Sequence, residues 1–219
     1  MGQLVQKPQN RAVQRLWRPG GTFVPWNGFA QVVLKTVGVA LACLLPVVGV
    51  GWTFYHNGPG PNPVETLLYE TGVWALRLLL LTLLVRPLWQ ALRLPGSFVW
   101  LRRTLGLAAF FYATLHLLVY FMFDLNLDLA AGWEDLTTRP FILVGMLAYL
   151  LLVPLALTSS MRWQQRLGRA WARLHRLVYG ATLLGALHFL LLVKNPLATL
   201  EPWLYLGIWV GLMGVRSRF

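Results

Sequence analysis

The sequence predicts an all-α, polytopic membrane protein with about six transmembrane helices. Three observations lead there. Of 219 residues, 57% are hydrophobic and 12% charged, where a soluble domain has roughly half and about a quarter. Several apolar runs approach or exceed the ~18 residues that cross ~30 Å of hydrocarbon. The runs are continuous, without the alternation of a transmembrane barrel.

The spans follow in order. The first runs from about Ala30 to Phe54 and the second from about Gly72 to Leu92. The third covers Thr104 to Phe123, and the fourth Pro140 to Leu157, opened by Thr137, Thr138 and a proline where a missing N–H costs nothing. The fifth covers Leu174 to Val193, and the sixth, short and weak, Trp203 to Val215. The expected organisation is a basic N-terminal arm (1–29), a transmembrane domain (30–215) and a short tail (216–219). The arm is too long, and the first span too extended, for a signal peptide.

Charge sets the orientation. Lys7, Arg11, Arg15, Arg18 and Lys35 mark the N-terminal side, and Arg86, Arg93, Arg102 and Arg103 the second loop. Arg162, Arg166, Arg169, Arg173 and Arg176 fill the fourth loop, and Arg216 and Arg218 the tail. With six spans these places share one side, which the positive-inside rule makes cytoplasmic, both termini included. Only Arg77, Arg139 and Lys194 fall toward the other side, with all seven carboxylates: Glu65, Glu70, Asp124, Asp128, Glu134, Asp135 and Glu201. The net charge of +12 is explained by topology and contact with anionic lipid, and calls for no nucleic acid.

Between the spans, residues 56–72 read as a turn-rich outer loop followed by a short surface helix, and 124–138 as a second outer loop. In the inner segment 161–176, Trp163, Leu167, Ala170, Trp171 and Leu174 share a helical face, beside a stripe of five arginines. That is an interfacial amphipathic helix, serving as a basic anchor or as a docking surface for a cytosolic partner. One cysteine, Cys43, excludes an internal disulfide and an iron–sulfur cluster. There is no C-x-x-C-H for a c-type haem.

Four histidines carry the functional signal. His56 lies in the outer loop, while His116, His175 and His188 lie in or at spans, where ionisable residues are costly and tend to be functional. His116 and His188 each stand about six residues from the outer end of their span, ~9 Å deep. Two imidazoles from two helices at one depth suit the two faces of a haem b. Ala113 and Ala109 precede His116 at offsets three and seven, and Gly185 and Ala181 precede His188 at the same offsets. These small faces leave room for a flat macrocycle, or serve as ordinary close helix contacts. Arg77 falls in the same layer, either as partner of a haem propionate or snorkelling to the outer head groups. His175 stands ~20 Å along the helix from His188, at the inner edge. Arg102 or Arg103 occupies the place where a second ligand, inward of His116, would stand. His175 is therefore left to a second, weakly held haem, to a quinone or flavin contact, or to helix capping.

The strings "RRTLGLAAFFYATLHLLVYF", "TRPFILVGMLAYLLLVPLALTSS" and "RLGRAWARLHRLVYGATLLGALHFLLLVK" resemble the MsrQ (YedZ) family of haem-binding membrane subunits, part of the ferric-reductase-like transmembrane group. The resemblance covers about residues 30 to 215. It implies a b-type cytochrome of the bacterial inner membrane that serves MsrP, a periplasmic molybdopterin enzyme reducing methionine sulfoxide in oxidised proteins. It also implies electrons from the quinone pool or a cytosolic flavin reductase, and FMN as a further cofactor.

The residues fit electron transfer better than catalysis, because a bis-histidine iron has no open site and the chain offers no nucleophile–base pair. Two other readings are a stand-alone ferric or metal reductase, which would normally carry a flavin–nicotinamide domain, and a transporter, which would want carboxylates inside its spans. In the cytochrome reading electrons leave from the outer half of the membrane. The partner then meets a rim of Asp124, Asp128, Glu134 and Asp135.

Overall fold

The structure, a computed structural model, describes residues 26–58, 60–94, 98–195 and 199–216. Residues 1–25 of the basic arm and residues 217–219 of the tail lie outside the described residues. Two compact units divide the chain at Lys35 and Thr36. The described part of the first is the opening of helix α1; everything below concerns the second. Among the described residues the regular structure is helical, without strands. Five helical segments are long and apolar enough to cross a membrane, and the chain is a multi-pass membrane protein.

Helix α1 (Trp26–Asn57) contains Pro46, which has no N–H to continue the ladder. The Tyr112 hydroxyl of another helix meets the backbone beside it, donating to the Cys43 carbonyl at 2.8 Å and accepting from the Val47 N–H at 3.3 Å. His56 lies in the last turn of α1, against Trp52, rather than in a loop.

Helix α2 (Pro63–Ala91) starts nine residues before the predicted span. Asn62 caps it, accepting from the Glu65 N–H at 3.2 Å and donating to the Glu65 carboxylate at 2.9 Å. Pro63 occupies the first turn, where its missing N–H is harmless. The expected surface helix is therefore the first two turns of α2. At 29 residues and 1.5 Å each, α2 is ~44 Å long, more than hydrocarbon thickness requires. It is also the most buried helix, contributing Val73, Leu76, Leu79, Leu80 and Leu83 to the core.

Helix α3 (Val99–Val119) packs along α2 and widens into a π-turn over Tyr120–Asp124. The second outer loop holds a helix that its composition did not announce, α4 (Leu129–Thr138). Asp128 caps α4 through the N–H groups of Ala130 and Ala131. Helix α5 (Pro140–Leu157) begins at the expected proline.

The predicted amphipathic helix is two helices, α6 (Met161–Leu167) and α7 (Arg169–Leu174). Gly168 separates them at φ 50°, ψ −118°, a conformation open in practice only to glycine. The single stripe of arginines is broken there. Helix α8 (Leu177–Leu192) packs on α5, and α9 (Leu200–Arg216) packs on α8 and α2. At 17 residues, α9 is the shortest of the main helices after α8, at 16.

Candidate functional site

The bundle is built on two close helix pairs, α2 with α3 and α5 with α8. Each pair carries one of the two predicted histidines. His116 on α3 reaches across to α2, its Nδ1 lying 2.9 Å from the carbonyl oxygen of Leu68. His188 on α8 reaches across to α5, its Nδ1 lying 2.6 Å from the carbonyl oxygen of Phe141. A carbonyl only accepts, so in both rings Nδ1 carries the proton and Nε2 keeps its lone pair. A backbone carbonyl that accepts from the far ring nitrogen of a metal-binding histidine holds it in just this tautomer.

The same local device makes room for both rings. Four residues after Leu68 is Gly72, and four after Phe141 is Gly145, one helical turn away on the same face. A Cβ on Gly72 would stand 3.0 Å from the His116 Nδ1, and one on Gly145 2.7 Å from the His188 Nδ1. Neither ring could then keep its carbonyl. The close small residues are thus on the partner helices. Of the small residues on the histidines' own helices, Ala109 and Ala181 are wholly buried, and Gly185 faces Leu76.

The two rings end 6.1 Å apart, centroid to centroid, with their planes at 84°. A metal–imidazole bond is about 2.0–2.1 Å, and the ring centre lies about 1.1 Å behind the nitrogen. Two imidazoles on opposite sides of one metal therefore have centroids about 6.3 Å apart. The spacing fits a single metal between them.

The other predicted residues stand elsewhere. Arg77 on α2 is engaged with α9: its Nε donates to the Tyr205 hydroxyl at 2.7 Å, and its Nη2 lies 3.2 Å from the Glu201 carboxylate. Tyr69 donates to the same carboxylate at 2.5 Å. Phe189, next to His188 in the chain, packs against Tyr69 and Tyr205. His175 belongs to a separate place. Its ring stacks on Trp171 at 4.0 Å, and its Nε2 lies 3.1 Å from the Thr158 hydroxyl. That hydroxyl gives its own proton to the Pro154 carbonyl, so His175 donates through Nε2, the opposite tautomer to the matched pair.

The acidic rim is smaller than the sequence implies. Asp135 is buried, accepting from Tyr120 at 2.7 Å and pairing with Arg139 at 3.0 Å. Asp128 is occupied as a helix cap. Asp124, Asp128 and Glu134 are exposed.

Comparison with known proteins places the chain in a family. Residues 71–186, which include Gly72, His116 and Gly145 and end two residues before His188, match the family described as ferric reductase like transmembrane component. A Caulobacter vibrioides protein named protein-methionine-sulfoxide reductase heme-binding subunit MsrQ is 46% identical over 176 residues, 80% of this chain and 82% of that one. The chain belongs to the MsrQ family. MsrQ proteins of the same description from Xanthomonas campestris and Xanthomonas oryzae are each 45% identical, over 194 and 198 residues, 85% of this chain and 87% and 86% of theirs. No solved structure matches.

Sequence reasoning singled out His116 and His188 but missed Gly72 and Gly145, which stand against their rings. A signal was present. Glycine inside an apolar helix costs ~1 kcal/mol against alanine, and "LYETGVWAL" and "FILVGMLAY" each carry one with no turn to justify it.

Proposed function

We propose that this chain is the b-type cytochrome subunit of a protein-methionine-sulfoxide reductase system in the bacterial inner membrane. His116 and His188 would hold one haem b. The observation that carries the reading is the matched pair: two imidazoles 6.1 Å apart, each with Nδ1 tied to a carbonyl one turn before a glycine. The relatives' names, as heme-binding subunits, support it. When bound, the haem supplies a one-electron carrier with no open coordination site.

The chain's own residues do the rest. The Leu68 and Phe141 carbonyls fix the tautomer and raise the basicity of each ring. Val73, Val119 and Ile142, buried close in sequence to these contacts, keep water away. Arg77 has three N–H donors beyond those given to Tyr205 and Glu201, and these are available to a propionate. In this reading electrons come from the quinone pool or a flavin reductase, with FMN as an accessory cofactor. They leave toward a periplasmic molybdopterin reductase of the MsrP kind, which meets Asp124, Asp128 and Glu134, Asp135 being buried.

The test is the optical spectrum of purified single variants. His116→Ala and His188→Ala should each lose the low-spin b-type bands while still inserting into the membrane. A wild-type spectrum in both would overturn the assignment.

A further inference from the structure

At the end of the bundle away from the histidine pair, α2, α8 and α9 enclose a cavity of about 140 Å³. In the same measure a single water needs only about 10–15 Å³. Arg86, Gln90, Tyr179 and Arg216 line it with polar groups, and Leu83 and Met213 with apolar ones. The Arg216 guanidinium lies 4.3 Å over the Tyr179 ring. Arg86, Arg102 and Arg176 are all near enough to act electrostatically on Arg216, and Arg86 on Arg102. Four cations thus converge from the ends of α2, α3, α8 and α9.

Like charges brought together in a partly desolvated place repel unless an anion lies among them. This end of the molecule supplies no side-chain carboxylate. All seven belong to the segments at the other end of the bundle, and neither salt bridge among the described residues involves these arginines. Arg102 adds an independent sign. Its Nε is buried without a hydrogen-bond partner among the described residues, and a buried charged donor left unmade is costly. The Trp89 indole N–H, on the same end of α2, is in the same condition.

We infer that this cavity, lined by Arg86 and Arg216 with Arg102 and Arg176 near by, is a phosphate-binding site. A planar carboxylate is satisfied by one or two guanidinium forks, whereas a phosphate offers acceptors in several directions and is the usual partner of converging arginines. The site stands at the ends of spanning helices, the level at which lipid phosphates lie. Its apolar wall of Leu83 and Met213 suits the start of a glyceride as well as an open phosphate. The phosphate can therefore come from an anionic phospholipid or from a soluble phosphate, and the experiment separates the two.

The full-length chain is purified in detergent and its thermal midpoint titrated in three series. These are phosphatidylglycerol in mixed micelles, phosphatidylcholine in the same micelles, and inorganic phosphate against chloride at equal ionic strength. The wild type should be stabilised saturably by phosphatidylglycerol or by phosphate, and far less by phosphatidylcholine. A response to phosphatidylglycerol alone assigns the site to a lipid head group, and a response to inorganic phosphate assigns it to a soluble ligand. Arg86→Gln/Arg216→Gln should need at least about tenfold more of the same ligand, the loss expected for charged hydrogen bonds. Arg162→Gln/Arg166→Gln, on α6, should respond as the wild type does. If the first pair does not fold, Arg86→Lys keeps the charge but loses the fork, and should shift the titration in the same direction. No saturable response in the wild type overturns the site. So does an equal loss in the α6 variant, or an unchanged titration in the cavity variants.

Discussion

The two ends of the bundle treat their charges in opposite ways. At the histidine end every cation that the fold draws inward meets a partner from another segment or turn: Arg77 finds Glu201 and Tyr205, and Arg139 finds Asp135. Each imidazole finds a carbonyl. At the arginine end Arg86, Arg102, Arg176 and Arg216 gather with no side-chain carboxylate among them in the described residues, and Arg102 keeps an Nε without a partner there. One end pairs its charges by its own hydrogen bonds and leaves the Nε2 lone pairs of the two histidines unspent. The other is built with an excess of donors. The first suits a metal that asks for lone pairs, and the second an anion that asks for N–H groups.

The largest effect expected at the histidine end, beyond removal of the histidines themselves, is from Gly145→Ala. The new Cβ would fall 2.7 Å from the His188 Nδ1, and the ring cannot yield without leaving the Phe141 carbonyl. Overpacking of this kind costs about 1–3 kcal/mol, concentrated on the ligand. The haem-to-protein ratio of the purified variant should fall severalfold, with altered low-spin bands. Gly72→Ala, at 3.0 Å from the His116 Nδ1, should show the same defect more mildly. Full occupancy in both variants would break the correspondence between the two seats.

The contrast between the ends sharpens with two arginine truncations of opposite sign. Arg102→Leu removes a buried donor that nothing satisfies and keeps an apolar stem. In detergent free of phosphate and anionic lipid it should raise the thermal midpoint, by an amount equivalent to about 1 kcal/mol. Arg77→Ala should lower it, because Tyr205 and Glu201 lose their shared cation and α9 its tie to α2. The pair's side chains are 38% and 32% exposed, so solvent screening holds that loss to about 1 kcal/mol or less. A double-mutant cycle of Arg77→Ala with Glu201→Gln should return a coupling of a few tenths of a kcal/mol, the smallest effect predicted here. Equal signs for the Arg102 and Arg77 truncations would remove the distinction between the ends.

Much of this was legible in the sequence because a membrane imposes simple rules. Apolar length fixed the spans, and the start of α5 at Pro140 came out as expected. The positions of His116 and His188 in depth were legible because a helix converts residue count into distance. The less legible features depend on local backbone competition. Gly168 splits the arginine-rich segment because its φ and ψ leave the helical region, while the spacing of arginines continues across it. Asn62 and Pro63 start α2 early, although the polar residues that follow read as loop. The acidic loop hides α4, whose cap, Asp128, was counted as surface charge.

By itself, then, the sequence determined that the chain is a multi-pass helical membrane protein, that its carboxylates and most of its cations part to opposite ends, and that two histidines share a layer. Composition and helical rise suffice for those, since each is a property of one segment against the bilayer. Only the tertiary structure decided which atoms the histidines present. That choice depends on α2 meeting α3 and α5 meeting α8 closely enough for an imidazole to share a carbonyl over a glycine. It also decided that Arg77 joins Glu201, and that Arg86 and Arg216, distant in the chain, line one cavity with Arg102 and Arg176 near by. Such contacts are set by which helices are neighbours and how they are turned, and periodicity within one helix carries no record of either.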